Sequence, residues 1–405
     1  GWSSLRPLQE SSIPAILARD RDVLIRAGTA AGKTEAFFLP ACSAIAALTG
    51  VFGIIYICPL KALINDQHRR LESLGEALEM QVTPWHGDVP QSKKKKARTS
   101  PSGILLITPE SLESLLINSL GWLKQAFSSV AYIVIDEFHA FIGSARGIHL
   151  LSLLNRIDHV LGRQLNPVPR VALSATLGEL EKVPELLRPD KRLPCETVTD
   201  SNSTATLQVQ VKGYLERVPE KGEELQSSAE QLVCADIFRL CRGDSHLVFA
   251  NSRKRTESIA AILSDMCEAN VVPNEFFPHH GSLARELREA LEVRLQKGNL
   301  PTTAVCTMTL ELGIDIGKVQ SVIQVTPPHS VSSLRQRMGR SGRRDSPSVL
   351  RMLITEPELT ATSSIVDHLR LQLVQAMAMI RLMISKRWFE PADIRQKHYS
   401  TLLHQ

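Results

Sequence analysis

The sequence predicts an α/β protein with two tandem doubly wound parallel-sheet domains, followed by a short helical extension. Short apolar runs recur along the chain, and each is followed by a helix-like stretch. Because these runs are continuous and do not alternate with polar residues, they are typical of strands buried on both faces of a parallel sheet. A Ser/Thr/Asn-rich stretch, Thr197–Thr206, interrupts the pattern once and is the predicted linker. A length of 405 residues is enough for two or three domains.

The predicted strands follow in chain order. Those of the first domain, residues 1–200, are Val23–Ile25, Ile54–Ile57, Ile104–Ile107, Tyr132–Ile135 and Val171–Leu173. Those of the second domain, residues 201–358, are Leu247–Phe249, Ala304–Cys306, Val322–Val325 and Met352–Ile354. Leu207, Val209 and Val211 alternate with polar residues, which is typical of a half-exposed or edge strand.

A helical extension is predicted for residues 359–405, because apolar residues recur there at helical steps. We expect three methionines of this segment to fill the core, because Met adapts to irregular gaps. They are Met377, Met379 and Met383. The chain lacks an initiator Met and stops abruptly, so we expect an excised fragment, or a processed tag followed by one.

Composition excludes several classes of protein. With 43% hydrophobic and 22% charged residues, the chain should form packed cores and not a disordered tail. No apolar run approaches the roughly 18 residues that cross a bilayer, and no secretory signal precedes the first strand. The 7 cysteines are odd in number and include no Cys-x-x-Cys pair, which disfavours a disulfide framework or zinc ribbon. We therefore expect a soluble, reduced, cytoplasmic protein without a membrane partner.

A phosphate-binding loop is predicted between the first strand and the helix that follows it. Its residues are Ala27, Gly28, Thr29, Ala30, Ala31, Gly32, Lys33 and Thr34. In this context backbone N–H groups and a helix N-terminus converge on phosphates, Lys33 reaches the β- and γ-phosphates, and Thr34 offers a hydroxyl to Mg²⁺. Ala30 stands where Gly is common; a positive φ there would cost about 1–2 kcal/mol, which binding should survive.

A pair of carboxylates follows a later predicted strand. Asp136 and Glu137 come directly after Tyr132–Ile135, at the strand end where α/β proteins bind ligands. We assign Asp136 to Mg²⁺ and Glu137 to orienting and deprotonating an attacking water. A solvated loop is the alternative, but the phosphate loop upstream favours catalysis. A nuclease is disfavoured because no further carboxylate cluster is spaced to hold metals.

Two basic runs invite opposite interpretations. Gln336–Arg344 carries four arginines, and Arg340 and Arg343 are predicted to share a helical face and to neutralise phosphate charge. The alternative is a solvated helix end. Lys93–Lys96 with Arg98 is more typical of a solvated helix face than of a nucleic-acid site, because no aromatic residue is interleaved. Trp85 suits base stacking and apolar anchoring equally.

The assembled motifs resemble those of the superfamily 2 DExD/H-box helicases, in that superfamily's order. Gln9 is similar to the adenine-reading glutamine. The other matching segments are Ala27–Thr34, Pro59–Leu63, His86–Asp88, Thr108–Leu112, Asp136–His139, Ser174–Thr176, Phe249–Arg253, His280–Ser282, Thr307–Gly317 and Gln336–Arg343. Within the superfamily, Trp85–Asp88, Glu311–Gly317 and Pro327–Val331 look most like the Lhr (large helicase-related) family.

This resemblance implies two RecA-like domains and a set of residue roles. Ser174 and Thr176 would couple the ATP state to domain closure, and Asp315 would reach the ribose. Gln336, Arg340 and Arg343 would complete the nucleotide site. The residues implied along a nucleic-acid backbone are Pro59, Lys61, Thr108, Ser252, Arg253, His280 and Thr307. Helix capping is the alternative role for the Ser and Thr residues among them.

The resemblance also implies an activity. ATP with Mg²⁺ would drive 3′→5′ movement on single-stranded DNA and unwinding of duplex or RNA–DNA hybrid. Two alternatives remain open at this point: the same helicase core acting on RNA, and an ATP-gated nucleic-acid clamp in a repair or antiviral-defence complex. The resemblance further implies that a winged helix and other domains follow the core, so we expect residues 359–405 to begin a winged helix and any protein partners to bind through further C-terminal domains.

Overall fold

A computed structural model gives the fold of the chain. It describes residues 4–28, 31–142, 144–174, 183–200, 206–217, 228–311, 316–317, 319–342, 347–361, 363–386 and 388. The contacts divide the chain into two compact units, with the division after Ser203. None of the helices in these ranges is long and apolar enough to cross a bilayer.

The first unit is built on a seven-stranded sheet in which every pairing is parallel. Its strands are β1 (Asp22–Arg26), β2 (Phe52–Ile57), β3 (Val82–Trp85), β4 (Gly103–Ile107), β5 (Tyr132–Ile135), β6 (Arg170–Ser174) and β7 (Cys195–Thr199). They lie in the order β3-β4-β2-β5-β6-β1-β7. The central strands are buried along their whole length, as the continuous apolar runs predict.

Helices connect these strands and supply the rest of the first core. They are α1 (Pro7–Ala18), α2 (Lys33–Ile45), α3 (Lys61–Ala77), α4 (Gln91–Thr99), α5 (Pro109–Asn118), α6 (Leu120–Ala126), α7 (Ala145–Val160) and α8 (Val183–Leu187). One cluster packs residues of α5, α6 and α7 against strand residues such as Leu105, Ile133 and Ala172. Parallel strands need such crossovers, so their carboxyl ends gather at one edge of the sheet.

A buried ion network fixes the opposite edge of the first sheet. Arg188 binds Asp22 through two hydrogen bonds of 2.6 and 3.0 Å, and Arg170 lies 3.2 Å from Asp158. All four side chains are at most 1% exposed. Asp22 and Arg170 are the first residues of β1 and β6. The network therefore ties α7 and α8 to the amino ends of two neighbouring strands.

The second unit is built on a six-stranded parallel sheet in the order β10-β11-β9-β12-β13-β8. Its strands are β8 (Leu207–Glu216), β9 (His246–Phe249), β10 (Phe276–His279), β11 (Thr303–Cys306), β12 (Ser321–Val325) and β13 (Ser348–Pro357). Its helices are α9 (Ala229–Cys241), α10 (Arg253–Ala269), α11 (Arg285–Lys297), α12 (Val331–Met338), α13 (Ile365–His368) and α14 (Leu371–Arg381), followed by a π-helical turn, Leu382–Lys386. Two parallel-sheet α/β units confirm the predicted fold class, and β8 is the predicted edge strand.

Two sequence predictions are wrong in part. The predicted linker begins with Thr197–Thr199, which belong to β7 and pair with β1, because Thr and Val suit an edge strand. Of the three methionines expected in the core, Met379 and Met383 are buried, whereas Met377 is 54% exposed. Met377 lies two positions from Met379, which places it on another face of α14.

Candidate functional site

The predicted phosphate loop joins β1 to α2, and its lysine closes it. The Lys33 ammonium donates hydrogen bonds to the carbonyl oxygens of Ala27 and Gly28 at 2.9 and 3.1 Å. The Ala31 N–H donates to the Gly28 carbonyl at 3.3 Å, so the loop turns back on itself. Thr34 lies in the first turn of α2 and is half-buried. The N–H groups in the first turn of an α-helix point along its axis and suit an anion, so this loop and helix start can hold a phosphate.

Gly32 is needed for the shape of this loop. Its φ of 87° lies in the left-handed region, which only glycine adopts without strain. A Cβ atom at this position would also meet the Gln9 amide nitrogen at 3.0 Å. Gln9 is 4% exposed, and its amide oxygen accepts a hydrogen bond from the Arg6 N–H at 2.9 Å. The glutamine predicted to read adenine therefore lies against the phosphate loop.

The predicted catalytic carboxylates lie at the carboxyl end of β5. Asp136 is 5% exposed, and its carboxylate accepts a hydrogen bond from the Glu137 N–H at 3.0 Å. Glu137 is 9% exposed and has a φ of 46°. A non-glycine residue in that conformation costs about 1–2 kcal/mol, and such strain is concentrated at functional sites.

Electrostatics at Asp136 suit a divalent cation. Burial and the neighbouring Glu137 carboxylate raise the pKa of Asp136 to about 7, while Lys33 lowers it. Two buried carboxylates beside each other are costly unless a cation offsets their charge. The donor set of Asp136 and the Thr34 hydroxyl fits Mg²⁺, which prefers oxygen ligands and keeps several waters. Outside the masked gaps, no group of three or more His, Cys, Asp or Glu side chains could hold a metal alone.

Tyr56 is a neighbour of Asp136 that sequence reasoning missed. Its ring is fully buried on β2 and stacks on Phe38 with ring centres 5.1 Å apart. The hydroxyl has no well-formed hydrogen bond among the described residues, but it lies close enough to Asp136 to lower the pKa of that carboxyl. Burial and the Asp136 charge together raise the pKa of Tyr56 well above its ordinary value. Tyr56 therefore stays a neutral donor facing the carboxylate.

Ser174 connects the two halves of this site. It is fully buried at the end of β6, and its hydroxyl lies 3.0 Å from Nδ1 of His139. The same ring nitrogen is 3.4 Å from the Glu137 carboxylate. The Ser174 carbonyl accepts a hydrogen bond from the Ala27 N–H at 3.2 Å. Because β5, β6 and β1 are adjacent, the three motifs meet at neighbouring strand ends.

Several residues predicted for the nucleotide site lie outside the described residues. They are Thr29, Ala30, Thr176, Asp315 and Arg343. The roles assigned to them stay predictions.

Residues predicted to touch nucleic acid in the first unit are held by other protein groups. Lys61 begins α3, and its ammonium lies 2.9 Å from the Asp88 carboxylate. Thr108 is the N-cap of α5 and accepts a hydrogen bond from the Ser111 N–H at 3.3 Å. The capping alternative for Thr108 is therefore present, and its contact with nucleic acid stays a prediction.

Arg146 links the two motifs around Pro59 and Thr108, and sequence reasoning missed this residue. Its guanidinium donates to the Pro59 carbonyl at 2.6 Å and to both Glu110 carboxylate oxygens at 2.6 and 3.0 Å. It lies in the first turn of α7, shortly after the predicted catalytic carboxylates. In the sequence, the signal that points to Arg146 is a basic side chain shortly after the predicted carboxylate pair. Arg146 fixes the relative position of the loops before α3 and α5.

The open question about Trp85 is settled by its packing. Trp85 is 5% exposed and stacks on Trp122 with ring centres 5.6 Å apart. A ring buried in this way is an apolar anchor and is not available to stack on a base.

In the second unit, the buried Arg337, which belongs to one predicted motif, binds residues of two others. Arg337 is 3% exposed and binds the Glu311 carboxylate at 2.9 Å. It also donates to Asn251 at 2.8 Å and to Gln324 at 2.6 Å. Its guanidinium lies over the Phe249 ring, 4.7 Å from the centre. The sequence suggested only the arginine run, because the partners of Arg337 are distant along the chain.

Arg340 lies beyond the helix that was predicted to carry it. Helix α12 ends at Met338, so the prediction that Arg340 lies on a helical face is wrong, and Arg343 lies outside the described residues. Gly339 ends the helix, and the Arg340 side chain donates to the Glu311 carbonyl at 2.9 and 3.2 Å. Gln336 lies within α12 and is half-buried.

The remaining predicted nucleic-acid residues of the second unit differ in exposure. Ser252 and Arg253 are exposed at the start of α10, and Ser252 caps that helix by accepting from the Arg255 N–H at 3.3 Å. Thr307 follows β11 and is half-buried. His280 is 2% exposed and lies 2.9 Å from the Glu257 carboxylate. Nucleic-acid contact by these four residues stays a prediction.

Comparison with known proteins identifies similar chains over both units. The DEAD/DEAH box helicase family profile matches residues 6–183, and the helicase conserved C-terminal domain profile matches residues 229–345. An ATP-dependent helicase Lhr-Core from Methanothermobacter thermautotrophicus is 31% identical over 80% of this chain and 39% of its own length. The Lhr helicase/uracil glycosylase of Escherichia coli is 30% identical over 81% of this chain and 25% of its own.

A solved structure is similar over nearly the whole chain. It is that of Mycobacterium smegmatis helicase Lhr bound to ssDNA and AMP-PNP, with a TM-score of 0.79 and 29% sequence identity. The match covers 97% of this chain and 49% of that one. This chain thus spans half or less of the length of each of these three relatives.

Proposed function

Because this chain belongs to the superfamily 2 DEAD/DEAH box helicases and is Lhr-like, we propose that it uses ATP hydrolysis to move along single-stranded DNA. The observation that carries the proposal is the convergence of Lys33, Ser174 and the Asp136–Glu137 pair at three adjacent strand ends. Movement is 3′→5′ and unwinds duplex DNA or RNA–DNA hybrid. The Lhr relative whose structure contains ssDNA and AMP-PNP supports the choice of strand and nucleotide.

Each group of the first unit has a role in hydrolysis. When ATP binds, the Lys33 ammonium leaves the two loop carbonyl oxygens, binds the β- and γ-phosphate oxygens and neutralises the charge of these phosphates. The strained backbone at Glu137 directs its carboxylate to orient the attacking water and to accept its proton as the γ-phosphoryl group leaves. Mg²⁺, held by Thr34 and Asp136, would supply further neutralisation of phosphate charge.

The remaining roles concern coupling. His139 bridges Glu137 and Ser174, so loss of the γ-phosphate at Glu137 is transmitted to the end of β6.

Other residues bind the nucleotide and the strand. Arg340, together with Arg343, stabilises charge on the transferred group, and Gln336 completes that site. Asp315 binds the ribose, and Gln9 reads adenine. Strand contacts come from the residues predicted above, with Pro59 and Lys61 in the first unit and Ser252, Arg253 and Thr307 in the second.

Steady-state ATP hydrolysis tests the proposal. The rate is measured without polynucleotide, with single-stranded DNA and with single-stranded RNA of matched length. We expect strong stimulation by DNA and loss of hydrolysis in Lys33→Ala, with its circular dichroism unchanged. Lys124→Ala, an exposed lysine of α6, is the matched control and keeps the normal rate. Normal turnover in Lys33→Ala would refute the phosphate-site assignment, and stimulation by RNA alone would favour the RNA alternative.

Strand displacement tests the direction and the clamp alternative. Tailed duplexes with a 3′ or a 5′ overhang, made of DNA or of an RNA–DNA hybrid, are incubated with ATP. We expect displacement from 3′-tailed substrates only. Displacement from 5′ tails would contradict the proposed direction, and ATP-dependent binding without any displacement would favour the clamp.

A further inference from the structure

Helix α4 carries a dense and uncompensated positive charge. Among its residues, Gln91–Thr99, none is acidic and five are basic: Lys93, Lys94, Lys95, Lys96 and Arg98. Lys94 is half-buried and the other four are exposed. The formal net charge of the whole chain is +5, so the basic excess of this one helix equals that of the entire protein. Elsewhere positive and negative side chains balance.

This arrangement destabilises the helix itself. Lys93 and Lys96 are neighbours on one helix face, as are Lys94 and Arg98, and each like-charged pair costs about 0.2–0.5 kcal/mol. Lysines near the first turn also oppose the helix dipole. None of the four lysines has an ion pair with any described carboxylate. Within the part of the chain that the structure describes, no ion pair therefore compensates the charge of these lysines, and an external anion would do so.

The helix is a fixed platform for these lysines. The guanidinium of Arg98 lies over the rings of Trp85 and Trp122, 5.7 Å from each centre, and donates to the Ser119 hydroxyl at 3.2 Å. The Trp122 indole N–H donates to the Arg98 carbonyl at 2.9 Å, and Ala97 is the buried residue of the helix. Arg98 thus anchors the helix, whereas Lys93, Lys95 and Lys96 are exposed to solvent.

The position of α4 connects it to the predicted strand-binding surface. The helix begins just after His86–Asp88, at the carboxyl end of the edge strand β3. Asp88 holds the Lys61 ammonium at 2.9 Å, so these two motifs meet where α4 starts. A nucleic acid lying across this edge of the sheet would reach the lysines next.

We propose that α4 is an additional phosphate-binding surface that extends the single-strand track of the first unit beyond its core motifs. This inference rests on the proposed function and specifies a part of its substrate-binding surface. No aromatic side chain lies on α4, so the contact is with phosphates and is independent of base sequence. Point charges on flexible lysine stems suit phosphates that slide past during movement.

The test compares a Lys93→Gln/Lys95→Gln/Lys96→Gln variant with a control that loses the same charge elsewhere. The control replaces the exposed lysines Lys124, Lys191 and Lys297 by Gln. Affinity for single-stranded DNA is measured against salt for a short oligonucleotide that fills only the core contacts and for one about ten nucleotides longer. ATP hydrolysis is measured at saturating DNA.

On the longer oligonucleotide, we expect the α4 variant to bind about tenfold more weakly at low salt. The slope of log K against log salt should become less steep by about 2, because three phosphate contacts are lost at about 0.7 each. Binding of the short oligonucleotide and the turnover number at saturating DNA should not change. An equal loss in the control would mean a general charge effect and would overturn the proposal.

Unchanged affinity and slope on both oligonucleotides would also overturn it. The proposal would also be overturned if the α4 variant lost binding to polyglutamate or to anionic vesicles while its DNA binding was unaffected, because the helix would then bind another polyanion. These results are separate from a failure of the proposed function, which would appear as absent DNA stimulation in the unmodified protein.

Discussion

The Arg337–Glu311 pair shows what a single residue contributes when its partners are distant in sequence. Arg337 is held by Glu311, Asn251 and Gln324, which come from three separate segments of the second unit. Glu311 in turn supplies the carbonyl that binds Arg340. The predicted phosphate-binding arginine therefore depends on a buried ion pair for its position.

Replacement of Glu311 by Gln should destabilise the second unit by about 3–5 kcal/mol, because it leaves the buried Arg337 charge uncompensated. Thermal and urea unfolding measure the change. Glu289→Gln breaks the exposed Arg285–Glu289 pair of the same unit, and its effect should stay within about 0.5 kcal/mol. A Glu311→Gln protein as stable as this control would show that the ion pair does not organise the unit.

His246 predicts a loss of stability in acid. Burial lowers the pKa of His246 to about 4, and its Nδ1 lies 2.8 Å from the Ser321 hydroxyl. The unfolded chain binds the proton near pH 6.5, so the neutral buried histidine contributes stability above that pH and loses it as the pH falls toward 4. Between pH 7 and 5 the loss amounts to about 2 kcal/mol.

The His246→Gln variant isolates this contribution. Its unfolding free energy should fall less between pH 7 and 5 than that of the unmodified protein, by about 2 kcal/mol. The exposed His368 gives a matched control, and His368→Gln should retain the full acid sensitivity. Parallel pH curves for the unmodified protein and His246→Gln would contradict the argument.

At the scale of elements, the strands that sequence reasoning missed share one property. β3, β7 and β10 are all edge strands of their sheets. β3 contains Pro84 and β10 contains Pro278, which an edge strand tolerates because one side of it needs no ladder hydrogen bonds. The central strands were predictable because burial on both faces requires continuous apolar runs. Edge strands do not meet that requirement, so β3, β7 and β10 carry no such run, whereas the edge strand β8 was predicted from its alternation of apolar and polar residues.

The residues of the candidate site also differ in whether the sequence could predict them. Lys33, Asp136 and Glu137 could be predicted because their chemistry requires particular residues directly after a strand. Arg146, Tyr56 and Arg337 could not, because each acts through a partner that only the fold brings close. The helical face predicted for Arg340 failed for a local reason, the end of α12 at Met338.

Helix α5 offers an element-scale prediction that separates two roles of one residue. Thr108→Ala removes the cap that accepts from the Ser111 N–H, which should cost about 1 kcal/mol of stability. Thr108→Ser keeps the hydroxyl and should keep the stability. If Thr108 also contacts the strand, as predicted, only the Ala variant binds single-stranded DNA more weakly at equal folded fraction. Unaltered DNA affinity in Thr108→Ala would limit the residue to capping.

At the scale of the whole molecule, two parallel sheets each present loops at their carboxyl edges. In the first unit these loops carry the predicted phosphate site and several predicted strand contacts. In the second they carry Thr307 and the segment of Glu311 that binds Arg340. Under the proposed function, strand binding by these loops would involve phosphates more than bases, so we expect the affinity to depend on ionic strength and little on sequence.

The salt dependence of binding tests this picture. If the core motifs neutralise about five phosphates of a short single strand, log K should fall against log salt with a slope near −3 to −4, since each contact on a single strand contributes about −0.7. Fluorescence anisotropy with oligonucleotides of several sequences and equal length measures the slope between about 50 and 200 mM salt. The slopes should agree among sequences. A slope near zero would exclude a phosphate track, and slopes that differ strongly among sequences would point to base recognition in place of strand tracking.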